Sequence, residues 1–213
     1  MLGKPGWAVV LLATFGLVTQ SWSKGDAQAG QEKAIPCGAC HGVDGNSLNP
    51  EWPSLAGQIP DYLKKQLSDF KAGHRADPLM SPMAQALAAP DVEDLVAYFA
   101  ALAPKNPGVS GKNTAGERIY LKGKLRPQAT ACVGCHGPAG AGNAAWGKTL
   151  AAPPAVLAPA IGGQQAPYLA KQLKAYRDGT RKNDAARVMR EIAASLDDQE
   201  IAAVAEYIAG LRR

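Results

Sequence analysis

Cys37-Gly38-Ala39-Cys40-His41 returns ninety-five residues later as Cys132-Val133-Gly134-Cys135-His136. The pentapeptide C-x-x-C-H is the attachment signal of a c-type haem. Residues three apart are neighbours on a helical turn, so the two thiols of one copy can each bond a vinyl group of the same porphyrin. The histidine that follows can turn a ring nitrogen onto the iron as proximal ligand. The two copies use all four cysteines of the chain. They predict two covalently bound haem c groups, held by Cys37 and Cys40 with His41, and by Cys132 and Cys135 with His136.

Other chemistries fit this spacing less well. Structural zinc usually takes two knuckles about 15–20 residues apart, much closer than these two pairs. Two disulfides would suit an oxidising compartment. They would leave the adjacent histidines, and the repeats described next, without a purpose.

Beyond the pentapeptides, the chain repeats itself. Gly57-Gln58 and Tyr62-Leu63-Lys64-Lys65-Gln66-Leu67 recur as Gly163-Gln164 and Tyr168-Leu169-Ala170-Lys171-Gln172-Leu173, at an offset of 106. Met80 to Leu102 lies over Met189 to Leu211 without a gap, at an offset of 109. The halves are read as duplicated haem domains over 24–103 and 114–213, joined by a Pro/Gly/Ser linker at 104–113. They differ by about eleven residues inserted after His136 and three before Met189.

Each half reads as mostly helical, so the fold class is all-α. A short helix near 27–34 leads to the first haem motif. Residues 61–72 carry Tyr62, Leu63, Leu67 and Phe70 as a helical stripe, stopped by Gly73. Asp91 is a candidate cap for a last helix bearing Val92, Leu95, Val96, Phe99 and Leu102. The second half offers 116–123, 167–178 and 197–211 in the same order, and no run alternates like a strand.

The sixth ligand of each iron decides the chemistry. Met80 and Met83 are the candidates in the first half, and Met189 alone in the second. Met80 falls on Met189, whereas Met83 falls on the apolar Ile192. Met80 and Met189 are therefore the expected distal ligands, and Met83 the expected core filler. His74 lies outside both motifs, matches Thr180, and reads as a surface loop residue. Pro53 and Pro159 coincide in the overlay; a carbonyl there could accept the proximal imidazole's other N–H, or the prolines could simply stiffen a loop. Tyr62, Tyr98, Tyr168 and Tyr207 are candidates for haem-propionate contacts or for core packing.

With 213 residues and only three Phe, two domains of this size would have thin side-chain cores. A haem stapled into each half would supply the missing apolar mass. Residues 1–23 stand apart: Lys4, an apolar run from Trp7 to Val18, and Ser21-Trp22-Ser23 read as a secretory signal peptide. The run is short of the ~20 residues that span a bilayer, with retention as an anchor the alternative. Export fits haem attachment outside the cytoplasmic membrane, in a bacterium the periplasm. The net charge of +5 is uneven: residues 24–107 carry seven Lys/Arg against ten Asp/Glu, residues 108–213 fifteen against eight. Export argues against nucleic acid as the basic half's partner. The halves are either two solvated surfaces or the faces for two different partners.

At this point the chain resembles a known family. Two C-x-x-C-H domains, each followed by P-x-[LI]-[AG]-G-Q-x-x-x-Y-L-x-x-Q-L and M-x-x-[MI]-A-x-x-L, resemble the dihaem cytochrome c4 family across nearly all of the mature chain. The resemblance implies two class-I cytochrome c domains about a pseudo-twofold, with His/Met ligation at His41 with Met80 and His136 with Met189. It also implies a periplasmic electron carrier, soluble or peripherally associated with the membrane, with redox protein partners: a quinol-oxidising complex as donor and a terminal oxidase as acceptor. Ala144 to Ala158 is longer and richer in Ala and Pro than the family pattern, and Ala185-Ala186-Arg187 before Met189 departs from it. His/Met ligation closes both irons, which implies a one-electron carrier and not an enzyme. The rival readings are the haem subunit of a periplasmic dehydrogenase complex and, less favoured, a dihaem peroxidase with one open iron.

Overall fold

The computed structural model describes residues 25–105, 111–112, 114–125, 128–143 and 158–213. The leader expected over 1–23, most of the expected linker and nearly all of the Ala/Pro-rich stretch after Asn143 lie outside these residues. The first half runs α1 (Ala27–Lys33), α2 (Ile35–His41), α3 (Pro60–Lys71), α4 (Met80–Gln85) and α5 (Ala89–Ala101). The second half repeats the order as α6 (Ala115–Lys122), α7 (Val133–His136), α8 (Ala166–Arg177), α9 (Val188–Ala194) and α10 (Asp198–Ala209).

Local chemistry sets the helix ends. Asp26 caps α1 by accepting from the Gln28 amide at 2.8 Å. Pro60 and Pro167 sit in the first turns of α3 and α8, where a missing N–H costs nothing. Gly73 and Gly179 follow those helices at φ 75° and 73°, the left-handed stop expected of glycine. Asp197 and Glu200 exchange side-chain-to-amide bonds in a full capping box at α10. Asp91 does not cap α5. The cap position is Ala88, and the Asp91 carboxylate reaches back to accept from the Ala88 amide at 3.0 Å, half of the same box.

In each half the first helix crosses the last at a glycine. A Cβ on Gly30 would stand 2.1 Å from the Asp94 carbonyl oxygen, and one on Gly116 2.1 Å from that of Ala203. Asp94 and Ala203 are equivalent in the overlay, so both crossings depend on the same missing side chain. Around them Leu63, Leu95, Val96 and Phe99 form the first core; Ile119, Tyr120, Ile201, Val204 and Ile208 lead a larger second one. Each fully buried side chain of this size contributes about 1.5–3 kcal/mol.

Aligning Gly30 with Gly116 reveals an insertion the repeat reading missed. Nine more residues precede the second C-x-x-C-H than the first. Part of them forms a small antiparallel hairpin, β1 (Lys124–Leu125) with β2 (Gln128–Ala129). A strand of two residues is too short for alternation to announce it.

The halves pack on each other about a pseudo-twofold built from the repeat. Gln58 Nε2 donates to the Ala160 carbonyl and its Oε1 accepts from the Ala160 amide, both at 2.8 Å. Gln164 makes the same pair of bonds with Ser54, at 2.9 and 2.8 Å. Both partners stand 106 residues apart, as do the glutamines. Each half therefore presents one glutamine and one backbone segment to the other. Arg213 adds donations to the carbonyls of Ala56 and Gly57.

Candidate haem sites

His41 ends α2 and His136 ends α7, and each is followed by a glycine at positive φ (Gly42 at 83°, Gly137 at 77°). The chain thus turns away at once and leaves each imidazole buried. His41 Nδ1 lies 2.8 Å from the Pro53 carbonyl oxygen, and His136 Nδ1 2.9 Å from that of Pro159. A carbonyl only accepts, so Nδ1 carries the hydrogen and Nε2 keeps its lone pair. Burial lowers the pKa of both rings, outweighing the opposing carbonyl bond, and keeps them neutral. A neutral, oriented imidazole with Nε2 free is what an iron needs. Of the two readings open for Pro53 and Pro159, the carbonyl-acceptor one holds in both halves.

Cys37 and Cys40 stand on α2 with His41, while Cys132 is the cap residue of α7, which carries Cys135 and His136. Burial raises the Cys37 and Cys135 thiols and pushes Cys132 up to about 11, so before haem attachment these three thiols would be held neutral. The returning loops are tied down separately. In the first half the Ser47 hydroxyl donates to the Cys40 carbonyl at 3.0 Å; in the second the Tyr120 hydroxyl donates to the Gly137 carbonyl at 2.5 Å.

Cys132, Cys135, His136 and Met189 line one cavity. Its lining includes the apolar Ile161, Leu169, Leu173, Val204 and Ile208 and the polar Tyr62, Gln66, Tyr168 and Arg181. Met80, the first-half counterpart, is half-buried at the start of α4. Met83 is 45% exposed and does not fill a core. It lies on the outer side of the short α4, where an overlay on Ile192 says nothing about depth. His74 is exposed on its loop, 3.8 Å from Asp69, as expected.

Tyr62 and Tyr168 line the cavity, where the sequence offers them as haem-propionate candidates, but the arginines beside them are what motif reading did not find. Arg75 donates to Gln66 at 2.7 Å, to Tyr168 at 3.2 Å and to Gln172 at 2.9 Å. Arg181 donates to Gln172 at 2.8 Å, to Tyr62 at 3.1 Å and to Gln66 at 3.0 Å. All three pairs, Arg75/Arg181, Gln66/Gln172 and Tyr62/Tyr168, are repeats at the 106 offset. Each guanidinium also lies over the equivalent ring, Phe70 at 4.6 Å and Tyr176 at 4.5 Å. The signal was available, since an arginine and a glutamine kept at a constant offset are not explained by a helical stripe. Tyr98 is different, its hydroxyl donating to the Val43 carbonyl at 3.3 Å. Tyr207 packs its ring against Tyr120 with centroids 5.4 Å apart.

These residues fit a haem. The cavity joins thiols and a metal-ready imidazole to an apolar wall, as a porphyrin face requires. Arg181, only 6% exposed, has neutral hydrogen-bond partners among the described residues. A buried cation of this kind calls for an anion, and haem carboxylates would supply one.

The Cytochrome c family model matches residues 27–103 and again 114–212. Cytochrome c4 of Pseudomonas aeruginosa is 44% identical over 206 residues, 95% of this chain and 97% of that one. The crystal structure of reduced recombinant cytochrome c4 from Pseudomonas stutzeri superposes with a TM-score of 0.78 at 43% identity, over 88% of this chain and 100% of that one. A thiosulfate dehydrogenase electron acceptor of Stutzerimonas stutzeri is 38% identical, over 84% of this chain and 80% of its own.

Proposed function

The chain belongs to the cytochrome c family and, within it, to the dihaem cytochromes c4, and from that premise we propose how its residues hold and use the two haems. It is an electron carrier with covalent haem c in each of two tandem domains. In our reading Cys37, Cys40, Cys132 and Cys135 form the thioethers. His41 with Met80, and His136 with Met189, close the irons. The observation that carries this is the repeated histidine-to-proline carbonyl bond, which aims Nε2 of each imidazole, together with Met189 in the cavity of His136.

Each bound haem supplies one-electron exchange between ferrous and ferric iron. The protein does the rest. Pro53 and Pro159 hold the imidazole tautomer and angle. The thioether of methionine favours the ferrous state and raises the potential. Arg75 and Arg181 neutralise charge where the domains meet, and the glutamine exchanges keep that geometry from one redox state to the next. With a histidine and a methionine held for each iron, a bound haem would have no place left for a substrate.

We place the carrier in the periplasm, exported by residues 1–23, and passing electrons from a quinol-oxidising complex toward a terminal oxidase. No helix among the described residues is long and apolar enough to cross a membrane. A second reading has its own support. The likeness to a thiosulfate dehydrogenase electron acceptor suits a chain that takes electrons from a periplasmic dehydrogenase.

The test is an optical spectrum of the oxidised and reduced protein with haem quantified per chain. Two haems, a near-infrared methionine-to-ferric-iron band of two-site strength and no carbon monoxide binding are expected. One haem that binds carbon monoxide would overturn the closed-site assignment.

A further inference from the structure

Met80 and Met189 hold the same place in the two repeats but are fastened by different means. In the first domain the fastening is local. Asp77 Oδ1 accepts from the amides of Leu79 at 2.9 Å and Met80 at 3.0 Å, and its own amide donates to the Ser81 hydroxyl at 3.1 Å. These bonds tie down the turn that leads into α4, whose own cap position, Leu79, makes no side-chain cap bond.

In the second domain Asp184 stands five residues before Met189, where Asp77 stands three before Met80. The extra chain passes through Ala186 (φ 51°, ψ 24°) and Arg187 (φ 60°, ψ 15°). They are the only non-glycine residues at positive φ among the described residues. Two successive left-handed residues with a Cβ are sterically disfavoured, and persist only when their surroundings over-determine them. Asp184 provides that. Its Oδ2 accepts from the Arg190 amide at 3.0 Å and its Oδ1 from Arg190 Nε at 2.7 Å. The Asp184 side chain is 4% exposed. The pair spans residues 184 to 190, closing a loop of chain around Met189. Asp184 and Ala185 also line the cavity that Met189 shares with His136. The residue matching Arg190 in the first domain is Ser81, which is neutral.

We propose that Asp184, through its ion pair with Arg190, is the positioning residue that presents Met189 to the second haem iron. The second axial bond then depends on a buried salt bridge that the first does without. This rests on Met189 as the axial ligand. Removing one member of a buried charge pair leaves the other uncompensated, so the clamp opens when either side is lost.

The test uses the dihaem protein carrying Asp184→Ala or Arg190→Gln, with Asp77→Ala for comparison. Arg190 is the more exposed partner, so its variant serves where Asp184→Ala does not fold. Either second-domain variant should reduce the near-infrared methionine band to about half, lower one midpoint potential and open one of two haems to carbon monoxide. Asp77→Ala should leave that second potential unchanged. A full-strength band with both potentials unchanged would overturn the proposal, as would equal loss at both haems. Met189→Ala separates the two failures. If it halves the band while the Asp184 and Arg190 variants do not, only the clamp is wrong. If it leaves the band whole, the ligand assignment falls and the clamp with it.

Discussion

The two domains share a frame and differ in what fills and surrounds it. Both cross their outer helices at a glycine, both aim a histidine with a proline carbonyl, and both offer one glutamine to the other half. Around that frame the first domain is acidic and, among the described residues, leaves Ile35, Val43, Leu48, Leu79 and Met83 exposed, against Leu121 and Leu125 in the second. The second is basic, has the larger apolar core, and carries insertions before its haem motif, after it and before its methionine. Duplication has thus preserved what the haem and the domain contact require. It has let the surface and the methionine loop drift.

The harshest way to break the likeness is to remove one proposed axial methionine at a time. Met80→Ala and Met189→Ala should each lower one potential by roughly a few hundred millivolts, within the ~0.8 V that axial ligands span. Each should make one haem, and only one, bind carbon monoxide. Redox titration with carbon monoxide difference spectra checks this, and two unchanged potentials would refute the assignment. Next comes the contact the halves share. Gln58→Ala with Gln164→Ala leaves the Ser54 and Ala160 backbone groups without their partners, at about 1–3 kcal/mol for each buried group. Calorimetry should then resolve two domain transitions in place of one, and slowed electron exchange between the haems should accompany it.

Much of this comparison was legible in the sequence. C-x-x-C-H has a spacing set by covalent chemistry, and the apolar stripes placed α1, α3, α6, α8 and α10 to within two residues and α5 to within three, but did not announce the short α4 and α9. What escaped depended on the third dimension. Met83 looked like core because Ile192 is apolar, but a six-residue helix does not bury its whole circumference. Asp91 looked like a cap, yet it stands three residues into the helix, where its carboxylate accepts from the amide of the cap residue Ala88. The hairpin at Lys124–Ala129 was too short to carry a period. Arg75 and Arg181 sit in loops, and only docking of the two halves makes them neighbours of the opposite tyrosines.

The charge contrast gives a gentler test. If the two faces meet different partners, the association rate of an acidic partner with the second domain should fall steeply with salt, since screening acts over about 8 Å at physiological ionic strength. Docking at the first domain, with its exposed aliphatic residues, should respond less. Stopped-flow rates across a salt series check this. An equal slope for both partners would mean the split of charge has no docking role.

The smallest expected effect concerns how the first and last helices of the first domain are tied. Lys33 on α1 reaches Asp91 at 2.8 Å and Asp94 at 2.6 Å on α5. The side-chain bond to Lys33 holds both carboxyls below the usual aspartate value, and the bond to Asp91 leads those that raise Lys33 above 10.5. Depressed carboxylates contribute stability that is present above about pH 4 and lost as pH falls through their folded pKa. A raised lysine contributes stability that is full below 10.5 and lost as pH climbs through its folded value. The tie therefore works between those limits. Lys33→Met should slightly increase amide exchange in α1 near neutral pH, while α6 in the second domain, packed on α10 without this triad, stays as it was. Once the pH has fallen below both folded carboxyl pKa values, the mutant and the parent should exchange alike, because the lysine then has no carboxylate to pair with. A difference that persisted there would assign the effect to the packing of the lysine stem and not to its charge.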